Sequence, residues 1–409
     1  MGSITKTKAA ILVELNQSLE IVDLELPALC KGEVLVKVHS AGLCHTQLLE
    51  IKGENASGAH NPNLLGHEGS GIVCDVGETV QKVKKGDHVV LSWIKGSGAN
   101  VCPEPLEQNG KLINRGPVTT FSEYTVVSEN RVTPIQKAIP LKPAALLGCA
   151  VPTGMGMINN SAKVTPQDIV MVIGCGGIGI NAIHGASLAN AAKIIAVDVN
   201  EYKLSEAKKF GATETIDSTQ ENLQERVWDI TEGDGVGVAI DTVGIKETME
   251  TAYELTNNQR GRTILCGVPN PPNMKINIDP FPLYYGKRLV GTGGGESVPD
   301  VDFNRYAKLY SAGSLNLEEM ITHEFKLAEI NQGFDILKSG RCLRVVISME
   351  KARYHGESVF WKNHSDYRSF KRAGENVRKI IRKQRGKSNH MRAEPGTTRQ
   401  TSKWVFKTG

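Results

Sequence analysis

The chain has 409 residues, of which 40% are hydrophobic, 22% are charged and 42 are glycine. This composition is typical of a folded globular protein with two or three domains, and it argues against a disordered or fibrous chain. No apolar run approaches the roughly 20 residues that a membrane-spanning helix needs. The N-terminal sequence lacks the pattern of a secretory signal, so we expect a cytoplasmic protein without a membrane span.

The net charge of +4 is distributed unevenly. Residues 351–409 contain 16 Lys and Arg against 4 Asp and Glu, which leaves 32 against 40 for residues 1–350. A basic segment can attract nucleic acid or acidic membranes. This one has few periodic apolar positions and no nucleic-acid-binding motif. The sequence therefore predicts a solvated, poorly ordered tail and argues against nucleic acid as a partner.

The rhythm of predicted elements changes once along the chain. Between residues 8 and 140, turns rich in Gly, Pro and Asn separate the strands KAAILVEL, LEIVDLEL, EVLVKVHSAG, GSGIVCDVG, DHVVLSW and FSEYTVV. This spacing predicts an antiparallel, barrel-like β domain. From about Thr165, short apolar strands such as DIVMVIG and KIIAVDV alternate with helical segments. That alternation predicts βαβ units on a parallel sheet, followed over 301–350 by helical stretches and a final strand, CLRVVISM.

The segment DIVMVIGCGGIGINAI places Gly174, Gly176 and Gly179 between a buried strand and a helix. Such glycines permit a tight turn, a close approach to a pyrophosphate and close helix packing. The helix N-terminus then offers free N–H groups to the phosphates. A turn that merely packs a helix on a strand would have the same glycines, but Asp198 ends the next strand, 19 residues after Gly179. Its carboxylate can accept hydrogen bonds from a ribose and repel a 2′-phosphate, which predicts NAD rather than NADP.

Cys44, His67 and Cys149 are candidate ligands for a metal ion. The eight cysteines form no CxxC pair, which favours reduced thiols and metal ligands over a disulfide framework. These three residues are too far apart in sequence for a compact zinc ribbon, but two cysteines and a histidine are a known ligand set for catalytic zinc. Spacing alone favours a buried core cysteine or histidine over a metal ligand at each of these positions.

The motifs GLCHT, GHEGSGIVCDVGETV, KKGDHVV, GCAVPTG, GCGGIG and AVDVNEYKLSEAKKFGAT occur in this order between residues 8 and 349. They resemble those of the zinc-dependent medium-chain alcohol dehydrogenases. The resemblance implies an α/β fold with a Rossmann doubly wound parallel sheet and a β-rich, GroES-like barrel domain. It further implies that Cys44, His67 and Cys149 bind one catalytic zinc, that Thr46 relays the proton and that Glu68 approaches the metal during ligand exchange.

The resemblance also assigns residues to the cofactor and the substrate. The residues implied at the cofactor are His45, Thr153, Gly174, Gly176, Gly177, Ile178, Gly179, Asp198, Lys203, Val268 and Arg344. Of these, Val268 could equally belong to the core. Trp93 occupies a position that lines the substrate pocket, where an aromatic core residue would give the same pattern.

Three departures from the family pattern affect the expected metal chemistry. The segment SWIKGSGANVCPEPLEQNGKLINRGPVTTF contains only Cys102 where relatives carry four closely spaced cysteines. A single thiolate cannot complete a tetrahedral site, so we predict no structural zinc. Leu49 replaces a relay histidine. Gln47 replaces an aspartate, which predicts weaker electrostatic support for His67.

The sequence thus predicts an NAD-dependent zinc alcohol dehydrogenase that interconverts a primary alcohol and its aldehyde, as a homodimer or homotetramer. The expected domains are a catalytic domain at 1–152 with a return segment at 296–350, an NAD-binding domain at 153–295, and the tail at 351–409. One alternative is a zinc-free quinone or enoyl reductase on the same scaffold. Another is a polyanion-binding protein that acts through its basic tail.

Overall fold

A computed structural model describes residues 6–54 and 61–349. The described residues up to 135 form the strands β1 Lys6–Leu12, β2 Glu20–Glu25, β3 Glu33–Gly42, β4 Asn63–Leu64, β5 Glu68–Val76, β6 His88–Ser92, β7 Leu106–Gln108, β8 Lys111–Arg115, β9 Tyr124–Ser128 and β10 Val132–Ile135. Strands β1, β2, β7, β8 and β4 close into a barrel. Strands β10, β6, β5 and β3 pair in that order in a second sheet, and β9 also pairs with β3.

Short helical segments lie within this β-rich part and after it. They are α1 His45–Lys52, the 3-10 turn Glu129–Arg131, α2 Leu141–Ala144, the 3-10 turn Ala145–Gly148, α3 Ala150–Gly156 and the π turn Met157–Ala162. No single helix in the described ranges is long and apolar enough to cross a membrane. The bent pair Leu141–Gly148 and Ala150–Ala162 passes that test only when its halves are taken together, by length and composition.

A parallel sheet with intervening helices follows. Its elements are β11 Ile169–Ile173, α4 Gly177–Leu188, β12 Lys193–Asp198, α5 Glu201–Lys209, β13 Glu214–Asp217, α6 Leu223–Thr231, β14 Val238–Asp241, α7 Lys246–Glu254, β15 Arg262–Leu265, the 3-10 turn Phe281–Tyr285, β16 Arg288–Gly291 and the 3-10 turn Gly294–Glu296. The strand order is β13-β12-β11-β14-β15-β16, and all pairs are parallel. The order reverses between β11 and β14, where doubly wound sheets bind their ligands at the carboxyl ends of the strands. The predicted α/β fold, with a Rossmann sheet and a β-rich barrel part, is confirmed.

The last described segment returns to the first part of the chain. It contains α8 Pro299–Ser311, β17 Ile321–Lys326, the 3-10 turn Leu327–Glu329, α9 Ile330–Ser339 and β18 Arg344–Ser348. Strand β18 pairs antiparallel with β3 and parallel with β17. Helix α9 forms the crossover between the parallel strands β17 and β18, and β17 was not predicted, since only one strand was expected over 301–350. The prediction of an antiparallel β domain over residues 8–140 is wrong for β4, which pairs parallel with β8. The domain boundaries stay predictions, and the tail at 351–409 lies outside the described residues.

A continuous apolar core connects the two kinds of sheet. One cluster of buried side chains includes Val90 and Leu146 from the first part of the chain together with Val172 and Ile240 from the parallel sheet. All four side chains are inaccessible to solvent. This packing holds the loop around Cys149 close to the glycine-rich turn after β11, so the candidate metal ligands and the candidate cofactor site come together.

Glu129 anchors the segment that follows β6. Its buried carboxylate accepts hydrogen bonds from the backbone N–H groups of Gln81 (2.7 Å), Lys82 (2.8 Å) and Ala99 (2.9 Å). Burial raises the pKa of Glu129, but these three hydrogen bonds outweigh it and leave the pKa below its usual value. The carboxylate thus fixes the loop after Trp93. This loop lies in the segment that contains only Cys102 in place of the four cysteines of the family pattern.

We expect Glu129→Ala to lower the free energy of unfolding by about 2–4 kcal/mol, because it leaves three backbone donors without their charged acceptor. Because the folded-state pKa is depressed, this stabilisation is complete above the ordinary glutamate pKa of 4.5 and is lost as the pH falls through the folded value. Denaturant unfolding at pH 7 and pH 4 measures both effects. The exposed Glu107→Ala serves as a control, and equal losses in the two variants would contradict the assignment.

Candidate metal and cofactor site

Cys44 lies at the junction of β3 and α1, where it is the N-cap of the helix. The backbone N–H of Cys44 donates to Oε1 of Gln47 at 2.9 Å, which closes a capping box. Gly53 ends the helix in the left-handed conformation, with φ of 73°. The helix therefore begins immediately after the cysteine, which fixes the direction of its side chain.

The structure brings Cys44, His67 and Cys149 together. One ligand atom from each residue lies within 4.8 Å of the others, and no other such group occurs in the described ranges. His67 immediately precedes β5, and Cys149 separates two short helical segments. The Nε2 atom of His67 is buried and has no hydrogen-bond partner. Two sulfurs and this orphaned imidazole nitrogen fit a zinc ion, which binds these ligand types at three-residue catalytic sites.

The two cysteines influence each other's ionisation. A hydrogen bond from the Cys149 thiol lowers the pKa of Cys44 well below its usual value, although burial opposes the shift; His67 and Arg344 also lower it. The same hydrogen bond and burial raise the pKa of Cys149. The opposite directions of the two shifts favour ionisation of Cys44 before Cys149. A thiolate is the form of cysteine that binds metals.

Trp93 and Thr46 each contact one of the two cysteine sulfurs. The indole Nε1–H of Trp93 lies 3.3 Å from Sγ of Cys149, and the side chain is 39% exposed. A Cβ placed on Gly294 would lie 3.4 Å from the Trp93 ring, so the Gly294–Glu296 turn borders the same space. The Thr46 hydroxyl lies 3.6 Å from Sγ of Cys44. The sequence reasoning missed the donor contact of Trp93, because residues 93 and 149 belong to separate motifs.

Glu68 and Arg344 form an ion pair beside the candidate ligands. The side chains are 0% and 5% exposed. Glu68 also accepts a hydrogen bond at 3.1 Å from the backbone N–H of Ala150. Burial lowers the pKa of Arg344, and the charge of Cys44 and a hydrogen bond to it oppose this shift. The pairing was not predicted, since the two residues belong to separate motifs that lie far apart in the sequence.

The glycine-rich turn forms an open cradle at the N-terminus of α4. A Cβ on Gly179 would overlap the carbonyl oxygen of Gly174, so helix and strand approach closely there. A Cβ on Gly177 would lie 2.6 Å from Cδ of Arg344, which places that arginine at the same helix end. A Cβ on Gly176 would meet no atom within 4 Å. The backbone at Gly176 therefore faces free space, as a pyrophosphate cradle requires.

Asp198 lies at the carboxyl end of β12 and is 9% exposed. Its carboxylate accepts hydrogen bonds from the backbone N–H groups of Cys175 (2.7 Å), Val199 (2.8 Å) and Asn200 (3.0 Å). These contacts fix the carboxylate beside the glycine-rich turn. Each oxygen of a carboxylate has two acceptor positions, so one position, on the oxygen that binds only Cys175, remains for a ribose hydroxyl.

The remaining predicted cofactor residues lie on several elements. Lys203 is on α5, Ile178 is on α4, Thr153 is buried on α3, and Val268 is 42% exposed after β15. His45 is exposed, yet the surrounding protein desolvates its ring and lowers its pKa. The charge of Cys44 opposes this shift, and the charges of Lys203 and Arg344 act with it, so the net direction favours the neutral imidazole.

Comparisons with known proteins agree with this fold and site. Residues 30–137 match the family model of the alcohol dehydrogenase GroES-like domain, and residues 177–311 match that of the zinc-binding dehydrogenases. The chain is 34% identical to the S-(hydroxymethyl)glutathione dehydrogenase of Synechocystis sp., with 84% of this chain and 99% of the relative covered. It is 35% identical to the NDMA-dependent alcohol dehydrogenase of Amycolatopsis methanolica, with 84% and 98% covered. The crystal structure of benzyl alcohol dehydrogenase from Acinetobacter calcoaceticus has a TM-score of 0.77 at 27% identity, with 85% and 100% covered.

The two matched models and the barrel-plus-Rossmann architecture define an oxidoreductase of the zinc-binding class. The chain belongs to the zinc-dependent medium-chain alcohol dehydrogenase family, as the sequence motifs predicted.

Proposed function

We propose that this protein oxidises a primary alcohol to its aldehyde, and performs the reverse reaction, with NAD as hydride carrier and one catalytic zinc per chain. The observation that carries the proposal is the convergence of Cys44, His67 and Cys149 within 4.8 Å, next to the cradle after β11. When bound, a zinc ion with three protein ligands and one open position lowers the pKa of an alcohol hydroxyl and stabilises the negative charge.

The protein's own side chains position the reacting groups. We assign Thr46 to accept the proton of the alcohol, because its hydroxyl lies beside the Cys44 sulfur. Trp93 forms one wall of the space for the substrate, and Glu68 is held next to the ligand histidine by Arg344. Leu49 cannot carry a proton, so the path from Thr46 must continue through a cofactor hydroxyl or water.

The cradle at Gly174–Gly179 and the carboxylate of Asp198 support NAD as the cofactor. We assign the imidazole of His45 and the guanidinium of Arg344 to its pyrophosphate, and the ammonium group of Lys203 to its ribose. Thr153, Ile178 and Val268 would border the nicotinamide and its neighbouring ribose. The absence of a structural zinc stays a prediction, as does the cytoplasmic location.

We further propose a homodimer or homotetramer. Strand β16 pairs only with β15 among the described strands, so its other edge offers unpaired backbone groups. Phe281, Tyr284 and Tyr285 precede it and are 63%, 85% and 62% exposed. An edge strand beside exposed aromatic side chains favours association with another protein surface.

Metal analysis and a cysteine substitution test the proposed function. Purified wild-type protein should contain about one zinc per chain, because one open three-residue site is available. Cys44→Ser should remove the metal and the oxidation of alcohols by NAD, whereas Cys102→Ser, at an exposed thiol, should leave both intact. A wild type that contains two zincs or none would contradict the assignment. Full activity of Cys44→Ser would favour the zinc-free reductase, and a panel of primary and secondary alcohols would identify the substrate class.

A further inference from the structure

Gln47 contacts two of the three proposed metal ligands through one amide group. The residue is fully buried on the first turn of α1. Its Oε1 accepts the backbone N–H of Cys44 at 2.9 Å, and its Nε2 lies 2.5 Å from Nδ1 of His67. The Nε2 atom of His67 is left as the nitrogen that faces the metal position, buried and without a hydrogen-bond partner.

These contacts favour the opposite hydrogen position on the His67 ring from the one that metal binding requires. A neutral imidazole carries one N–H, so a metal ion on Nε2 requires the hydrogen on Nδ1, which then becomes a donor. Gln47 already presents an N–H donor to Nδ1. Turning the amide by 180° would offer oxygen to His67, but it would place the amide N–H₂ against the backbone N–H of Cys44 and break the cap of α1. An amide has a single oxygen. In the metal-bound site two donors, the backbone N–H of Cys44 and Nδ1–H of His67, would each need that oxygen as acceptor.

We propose that Gln47 is a positioning residue that favours the metal-free tautomer of His67 and thereby weakens zinc binding. In the metal-free protein, Nδ1 accepts the amide N–H of Gln47, and the ring hydrogen resides on Nε2. Metal uptake moves that hydrogen to Nδ1 and leaves one donor of the pair, Cys44 N–H or His67 Nδ1–H, without an acceptor. A carboxylate at position 47 has two oxygens and satisfies both donors. This inference rests on the proposed zinc site.

The test compares the zinc affinity of the full-length wild type with that of Gln47→Glu, by competition with a chelator of known affinity. Groups that orient a metal ligand typically change affinity about 10- to 100-fold, so Gln47→Glu should bind zinc tighter by roughly that factor. Gln136→Glu adds the same charge at an exposed position and should leave the affinity unchanged. Unchanged or weaker binding by a folded Gln47→Glu would overturn the inference.

A second measurement needs no variant at position 47. Nitrogen-15 NMR of the zinc-free wild type at pH 8, with the His67 signals assigned by their loss in His67→Gln, should show the hydrogen on Nε2. A hydrogen on Nδ1 would overturn the role of Gln47 even if Gln47→Glu failed to fold.

The outcomes separate this inference from the proposed function. A wild type that binds no zinc, or that retains zinc after Cys44→Ser, overturns the zinc site and the role of Gln47 together. A wild type that binds one zinc through Cys44 but gains nothing from Gln47→Glu overturns only the role of Gln47.

Discussion

The wild-type enzyme should use NAD with a kcat/KM about one to three orders of magnitude above that for NADP, at about 1.4 kcal/mol for each tenfold. The reason is the carboxylate of Asp198, which three backbone N–H groups hold at the end of β12. It can accept hydrogen bonds from a ribose, whereas a 2′-phosphate would meet it as a like charge in a partly desolvated cleft. Lys203 on α5 offsets part of this repulsion but is also assigned to the ribose of NAD.

Asp198→Ala should reduce the difference between the kcat/KM values for NAD and NADP, mainly by lowering the value for NAD. It also removes the acceptor of the Cys175, Val199 and Asn200 N–H groups, so the thermal midpoint should fall. We would measure kcat/KM with both cofactors for the wild type, for Asp198→Ala and for the exposed control Asp229→Ala. The control separates the effect on cofactor choice from the effect of losing one negative charge. Equal use of NADP and NAD by the wild type would show that Asp198 does not govern the choice.

Removal of one partner from the Glu68–Arg344 pair should be strongly destabilising. Arg344→Met leaves a carboxylate that is 0% exposed without its cation, and breaking a buried pair in this way typically costs about 3–5 kcal/mol. Replacing both partners, in Glu68→Gln with Arg344→Met, should cost less than the sum of the single changes. Denaturant unfolding of all four proteins gives the coupling free energy.

The same variants report on cofactor binding. Arg344 packs against Gly177 at the N-terminus of α4, so Arg344→Met should raise the KM for NAD. Glu68 makes no such contact with the glycine-rich turn, so we expect no direct effect of Glu68→Gln on this KM. A loss of stability below about 1 kcal/mol for Arg344→Met would place the pair among weak surface-like ion pairs and contradict its role here.

Local sequence patterns predicted the long regular elements well. Strand β3 covers the predicted EVLVKVHSAG residue for residue, and β12 begins at the first residue of the predicted KIIAVDV. The two-residue β4, the hairpin β7–β8 and the edge strand β16 were missed. These strands are short, and pairing across the barrel or sheet defines them more than an alternating pattern does. Helix α1 was also missed, since its eight residues have no pronounced apolar face.

Some features of the site could be predicted from the sequence, and others could not. The ligands Cys44, His67 and Cys149 were found because the motifs around them resemble a known family, and the structure brings them together. The Trp93 contact with Cys149 and the Glu68–Arg344 pair connect residues that are distant in sequence. Spacing rules describe neighbours on one helix or strand, so they contain no information on such pairs. The importance of Gln47 was visible in the sequence, but the competition for its single oxygen required coordinates.

The position of β18 has a consequence for how the protein is made. This strand inserts between β3 and β17, although β3 is synthesised near the start of the chain and β18 near residue 348. In a nascent chain, residues 40–42 at the end of β3 therefore lack this partner until β18 has been made, and open strand edges can pair with other chains. Arg344 is the first residue of the same strand, so the carboxylate of Glu68 also lacks its cation until β18 has been synthesised. The parallel sheet, whose strands all lie between residues 169 and 291, can form earlier and act as the template onto which the β-rich part closes last.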